Sequence, residues 1–120
     1  MRTNRTAFEQ KMLDAGVCDE RCIAFCATAT ALPGGETGMC LLGLKGNVLS
    51  VYDTDITATV GRLLYAAPLR GVTDMRTTDS NLMETLKGYS LRFTSGGFTY
   101  VFKNCYQNKA ALAAIRRECT

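Results

Sequence analysis

Apolar and polar residues alternate through much of this chain. Leu91 and Phe93, then Phe98, Tyr100 and Phe102, alternate with Arg92, Thr94, Thr99, Val101 and Lys103. A period of two marks a half-buried hairpin. Ser95-Gly96-Gly97 between the runs supplies the positive-φ positions of a tight turn. Upstream, Arg21 to Ala31 places Ile23, Phe25, Ala27, Ala29 and Ala31 on one face and Cys22, Ala24, Cys26, Thr28 and Thr30 on the other. Its alanine content leaves a helix as a competitor, and Pro33-Gly34-Gly35 ends the segment either way. Further strands are expected at Thr37–Lys45, Val48–Asp53, Arg62–Ala67, Val72–Thr78, Tyr89–Thr94 and Phe98–Lys103. Gly46-Asn47 is a two-residue hairpin signal, Pro68 closes a strand or marks an edge, and Asp79-Ser80-Asn81 is a turn cluster.

The period changes to that of a helix at both ends. Thr6–Ala15 carries Phe8, Met12 and Leu13 on one face, with a threonine cap, Glu9 in the first turns and Gly16 after it. Asn108–Glu118 carries Leu112 and Ile115 on one face within an alanine-rich run. The expectation is one domain over 1–120: a short helix at about 6–15, seven antiparallel strands over about 21–104, and a capping helix at about 108–118.

Composition narrows the class. The 120 residues are 47% hydrophobic and 21% charged, which is globular and not disordered. No apolar run is long enough to span a bilayer, and no apolar segment follows the first charges as a secretory signal would require. The expected location is the cytoplasm. Net charge is +3, with basic residues scattered singly except Arg116-Arg117. Nucleic-acid binding draws on a concentrated cationic stripe, so no nucleic-acid partner is expected.

The six cysteines include no CxxC pair, and there is no histidine. Cys18, Cys22 and Cys26 recur every four residues, a spacing that would put them on one face of a single element. Zinc sites use closer pairs, so packed thiols in a reducing compartment are favoured over metal or redox chemistry. If any thiols are reactive, these three are the candidates, with Arg21 as the neighbouring cation.

Acid–base chemistry near neutral pH draws most often on histidine, and this chain has none. Asp53 and Asp55 read as a solvated loop. Gly34-Gly35 and Gly96-Gly97 lack the following Lys-Ser or Lys-Thr and helix of a phosphate cradle. The aromatics Tyr52, Tyr65, Tyr89, Tyr100 and Tyr106, with Phe93, Phe98 and Phe102, read as core more than as a base-stacking platform. No catalytic, cofactor-binding or metal-ligating residue is assigned, and the chain is not expected to be an enzyme.

The order of elements resembles the pleckstrin-homology-like superfold, in its small bacterial form. The resemblance is carried by Gly46-Asn47-Val48-Leu49-Ser50-Val51-Tyr52, by Ala67-Pro68-Leu69-Arg70-Gly71-Val72-Thr73-Asp74-Met75, and by the hairpin Tyr89–Phe93 and Gly97–Phe102. It implies two nearly orthogonal sheets forming a seven-stranded barrel or split sandwich, with the last helix plugging one end. It also implies a binding or scaffold module whose partner is another protein or a second copy. Lipid-binding members carry cations in the first interstrand loop; here that loop, Leu32 to Gly38, has none and one carboxylate, Glu36. Weak attachment to an anionic membrane is the alternative, with Arg62, Arg70, Arg76 and Arg92 as the cations that folding would have to gather. At about 1 kcal/mol per cation, three or four give only weak binding.

Overall fold

The computed structural model describes residues 5–78, 89–105 and 109–119. The turn cluster at 79–81, Tyr106 and Asn108 lie outside these residues. The elements run α1 (Ala7–Asp14), β1 (Ala24–Ala31), β2 (Gly38–Lys45), β3 (Val48–Asp53), β4 (Leu63–Pro68), β5 (Thr73–Thr78), β6 (Tyr89–Ser95), β7 (Phe98–Cys105) and α2 (Lys109–Arg117).

All seven strands pair antiparallel with their neighbours in the order β4-β3-β2-β1-β7-β6-β5. The ladder is therefore continuous from β4 to β5. Central β1 makes the join. It pairs with β2 through Ala24–Ala29 and with β7 through Thr28–Ala31, with an irregularity between Ala29 and Ala31. The strip does not close, because no ladder joins β4 to β5 among the described residues. Of barrel and split sandwich, the split sandwich is what forms. With α2 packed into its core, the chain has the seven strands and closing helix that the resemblance implied.

The alternation sets the core. Phe25, Ala27 and Ala29 of β1, Leu42 and Leu44 of β2, Leu49 and Val51 of β3, and Leu91, Phe93, Tyr100 and Phe102 of the last hairpin are buried in one cluster with Leu112 and Ile115 of α2. Phe93 stacks on Tyr100 with ring centroids 4.8 Å apart, and Tyr65 meets Tyr100 edge-on at 5.9 Å. Phe98 departs from the expected pattern. It is the first residue of β7, at the turn, and is 53% exposed because no facing element reaches it.

The strand expected from Arg21 begins three residues later, and it is a strand, not a helix. Cys22 has a left-handed backbone (φ 58°) and donates its N–H to the Asp19 carbonyl, closing a turn that holds the chain out of the ladder. Cys18 and Cys22 thus sit before β1 and Cys26 within it, so the regular cysteine spacing does not correspond to one face of one element.

A second, smaller cluster lies on the other face of the sheet. Thr6 caps α1, accepting from the Glu9 N–H at 3.0 Å while Glu9 accepts from the Thr6 N–H at 2.9 Å. The helix lays Met12, with Phe8 and Leu13, against Leu41, Cys18 and Val17. Val17 is seated over Gly43, where an added Cβ would overlap its carbonyl and side chain. Glycine is thus what lets the segment after α1 lie directly on β2.

Both sheet edges are blunted. The Leu69 N–H reaches the Asn47 carbonyl at 2.8 Å, and Val48 faces Pro68. By antiparallel alternation, position 68 directs its nitrogen outward, and proline leaves no donor there. On the other edge, Asp74 adopts φ 56° at an irregularity of the β5 ladder.

Candidate cleft beside the first interstrand loop

The two ends of the β1–β2–β3 sheet differ. The end at the β2–β3 turn is closed by α2. There Arg21 links three elements: it bonds the Asp19 carboxylate at 2.7 Å, the Glu118 carboxylate beyond α2 at 2.9 Å, and the Gly46 carbonyl at 2.7 Å. Asp19 also accepts from the Gly46 N–H at 2.9 Å. The Arg21 hydrogen bond, followed by those of the Gly46 and Arg21 backbones, lowers the Asp19 pKa to about 2.

The opposite end is open and holds a cleft of about 240 Å³. Its apolar lining comes from Ala29 and Leu32 at the end of β1, Cys40 of β2 and Leu64 of β4. Glu36 and Thr37 of the first interstrand loop, Asp53 at the end of β3 and Arg62 just before β4 bring polar groups to it, and half-exposed Met39 adds an apolar flank. The register explains the convergence. Cys40 pairs with Asp53 and the Asp53 N–H donates to the Arg62 carbonyl at 2.8 Å, so three residues distant in sequence lie side by side across β2, β3 and the approach to β4.

Glu36 is held in place. The Tyr65 hydroxyl donates to its Oε1 at 2.7 Å and accepts from the Gly34 N–H at 2.7 Å. An added Cβ at Gly34 would crowd both the Tyr65 hydroxyl and the Glu36 carboxylate. The Tyr65 hydrogen bond, above all, lowers the Glu36 pKa, so this carboxylate is an anion at neutral pH. Arg62 contributes a smaller field in the same direction, yet forms no ion pair with Glu36 or Asp53 among the described residues.

The arginines named from the sequence lie in three settings among the described residues. Arg76 and Arg92 both bond Asp74, at 3.0 and 3.3 Å, which offsets part of their charge. Arg70 is exposed in the turn after β4, and Arg62 belongs to the cleft. The thiols fall in three settings. Cys18 is buried in the outer cluster, its pKa raised to about 11, chiefly by burial. Cys22 lies in the turn before β1, and Cys26 faces α1's cluster with its pKa also raised by burial. Burial likewise pushes Cys40 and Cys105 up to about 12. No group of three or more metal-ligating side chains occurs among the described residues.

The cleft residues were visible in the sequence only separately. Glu36 stands out as the one charge in its loop, and Asp53 as half of an acidic pair. In the fold Asp55 turns away into its own loop, where it accepts from the Thr57 N–H at 2.9 Å and hydroxyl at 2.6 Å.

No protein-family model matches this chain, and no curated protein matches it. Among solved structures it is similar to the crystal structure of the pleckstrin homology domain of ArhGAP27, at 16% identity and a TM-score of 0.49, over 81% of this chain and 96% of that one. No helix among the described residues is long and apolar enough to cross a membrane.

Proposed function

We propose that this chain is a non-catalytic binding or scaffold module, acting through contact with another protein or with a second copy of itself, and that the cleft beside Glu36 is where it does so. The observation that carries this reading is the contrast in charge pairing. Arg21, Asp19 and Glu118 are tied together at the closed end, while Glu36, Asp53 and Arg62 form no ion pair among the described residues around an apolar-lined cleft. Paired charges hold a fold together; unpaired ones around an apolar lining suit a binding site with a few orienting polar groups. A proton-transfer role is poorly supported, since Glu36 is kept ionised and the sequence has no histidine to pair with it.

Attachment to anionic lipid has less support, because Asp74 partly neutralises Arg76 and Arg92 and the cleft carries two carboxylates. Thiol chemistry has less support again, because burial raises the pKa values of Cys18 and Cys26 and so disfavours the reactive thiolate.

The test is sedimentation velocity across a wide concentration range, with pull-downs from the source cell extract, for the native chain and for a Glu36→Ala, Asp53→Ala, Arg62→Ala variant. Association that the triple variant loses supports the reading. Association that survives unchanged, or native protein that is monomeric and partnerless throughout, overturns it. Co-sedimentation with anionic but not neutral vesicles would favour the lipid alternative.

A further inference from the structure

We infer that the cleft accepts a lysine or arginine side chain from an extended polypeptide. This inference rests on the binding-module reading and specifies the chemistry of the partner. Two carboxylates and one guanidinium meet at the cleft, leaving it one negative charge in excess although the chain as a whole is +3. Glu36 is anionic and oriented before any ligand arrives, because the Tyr65 hydroxyl holds one of its oxygens at 2.7 Å. Asp53 makes no side-chain hydrogen bond or ion pair among the described residues. Beneath these groups Leu32 and Leu64 supply the apolar surface along which a long aliphatic stem lies while its charged head stays at the rim. The volume of about 240 Å³ suits one large side chain and not a folded domain.

The position of the cleft favours a polypeptide over a free amine. Leu64 belongs to β4, which is an edge strand. A strand edge offers backbone donors and acceptors to an extended segment, and pockets beside it read that segment's side chains. Pro68 removes one donor from the far end of β4, so the usable stretch of edge is the part next to the cleft. Arg62, also at the cleft, can donate to the segment's carbonyl oxygens and disfavours a bare multivalent cation.

The test is an amide NMR titration of the native protein with three capped pentapeptides that are identical except for a central lysine, norleucine or glutamate. The expected result is shift changes at Glu36, Thr37, Asp53 and Arg62, with the lysine peptide binding at least tenfold more tightly than the norleucine peptide. That advantage should shrink in high salt and vanish in Glu36→Gln, Asp53→Asn protein, whose unchanged amide spectrum elsewhere would confirm folding. Arg62→Gln should retain it. Equal binding of the lysine and norleucine peptides at the cleft would overturn the cation inference and leave the binding-module reading standing. Preference for the glutamate peptide would reassign the cleft to anions through Arg62. Unmoved cleft resonances with all three peptides would overturn the inference, while the association measurements above would still decide the broader reading.

Discussion

The two ends of the sandwich are built on opposite rules. At the end closed by α2, the aliphatic side chains of Leu112 and Ile115 are buried, and Arg21 ties Asp19 and Glu118 to the β2–β3 turn. At the cleft end, apolar residues line a cavity, and of its three charged side chains only Glu36 is hydrogen-bonded among the described residues. One end spends its chemistry on stability; the other leaves it available. Substitutions should therefore separate the ends: large stability losses with no effect on binding at the first, and the reverse at the second.

The strongest challenge to this comparison is truncation in α2. Leu112→Ala and Ile115→Ala should each lower unfolding free energy by about 2–5 kcal/mol in chemical denaturation, because each leaves a cavity in the main core. Arg116→Ala, on the exposed side with a long contact to Thr77 at 3.4 Å, should cost well under about 1 kcal/mol. Equal effects would mean that α2 is peripheral.

Alkaline pH should come next. Cys40 and Cys105 have folded pKa values raised from an ordinary 9.0 to about 12. A raised value gives stability that is complete below the unfolded pKa and is lost as pH climbs toward the folded one. Each thiol should therefore remove about 1 kcal/mol of stability per pH unit between pH 9 and 12, as the unfolded chain ionises and the folded one does not. Denaturation curves collected across that window should flatten in a Cys40→Ala, Cys105→Ala protein relative to native.

Gly43→Ala should cost about 1–3 kcal/mol, since the methyl group would meet Val17 and force the α1 segment off the sheet. Hydrogen exchange should show the loss concentrated in α1 and not in the cleft; uniform loss would mean the outer cluster is not a separate layer.

A smaller effect is expected for Asp19→Asn, about 1 kcal/mol, discounted because the pair with Arg21 is partly solvent-exposed. The Asp19 contribution is present above the usual carboxylate value of 3.8 and is lost as pH falls toward about 2, so acid titration of the native and variant proteins should converge there. Smallest of all, Asp53→Asn should leave stability within about 0.5 kcal/mol, because its exposed side chain makes no hydrogen bond or ion pair among the described residues. A large loss would make the cleft a structural feature and erase the contrast between the ends.

Much of the sandwich is readable in the sequence because alternation is a local signal. Phe93, Tyr100 and Phe102 face inward as their spacing requires, and Thr6 with Glu9 announces the start of α1. Phe98 has the same parity as Tyr100, yet parity alone cannot tell that the strand has reached its turn and has nothing to face. Cys22 breaks β1 through a left-handed backbone that a non-glycine residue rarely adopts and that composition does not signal. The cleft was the least legible part. Glu36 lies in the β1–β2 connection, Asp53 at the end of β3 and Arg62 just before β4, and only the pairing of β2 with β3 and the approach of β4 brings them together. Grouping arginines by residue type instead joined Arg62 to Arg70, Arg76 and Arg92, and did not single out Arg62 as a cleft residue.

The place of β1 has a consequence for how the chain assembles. It is the first strand synthesised and the middle strand of the sheet, and the Thr30 hydroxyl reaches the Val101 carbonyl across a separation of 71 residues. Half of its hydrogen-bonding edge therefore waits until β7 has been made. A nascent chain can form the β1–β4 meander early through sequence-local pairing, but β7 and α2, both needed to cover its apolar face, come later. Such non-local closure is slow, and it leaves a long unpaired edge exposed in the interval. On the ribosome the sandwich should remain uncommitted until α2 emerges, with its vulnerability to misassembly confined to that interval.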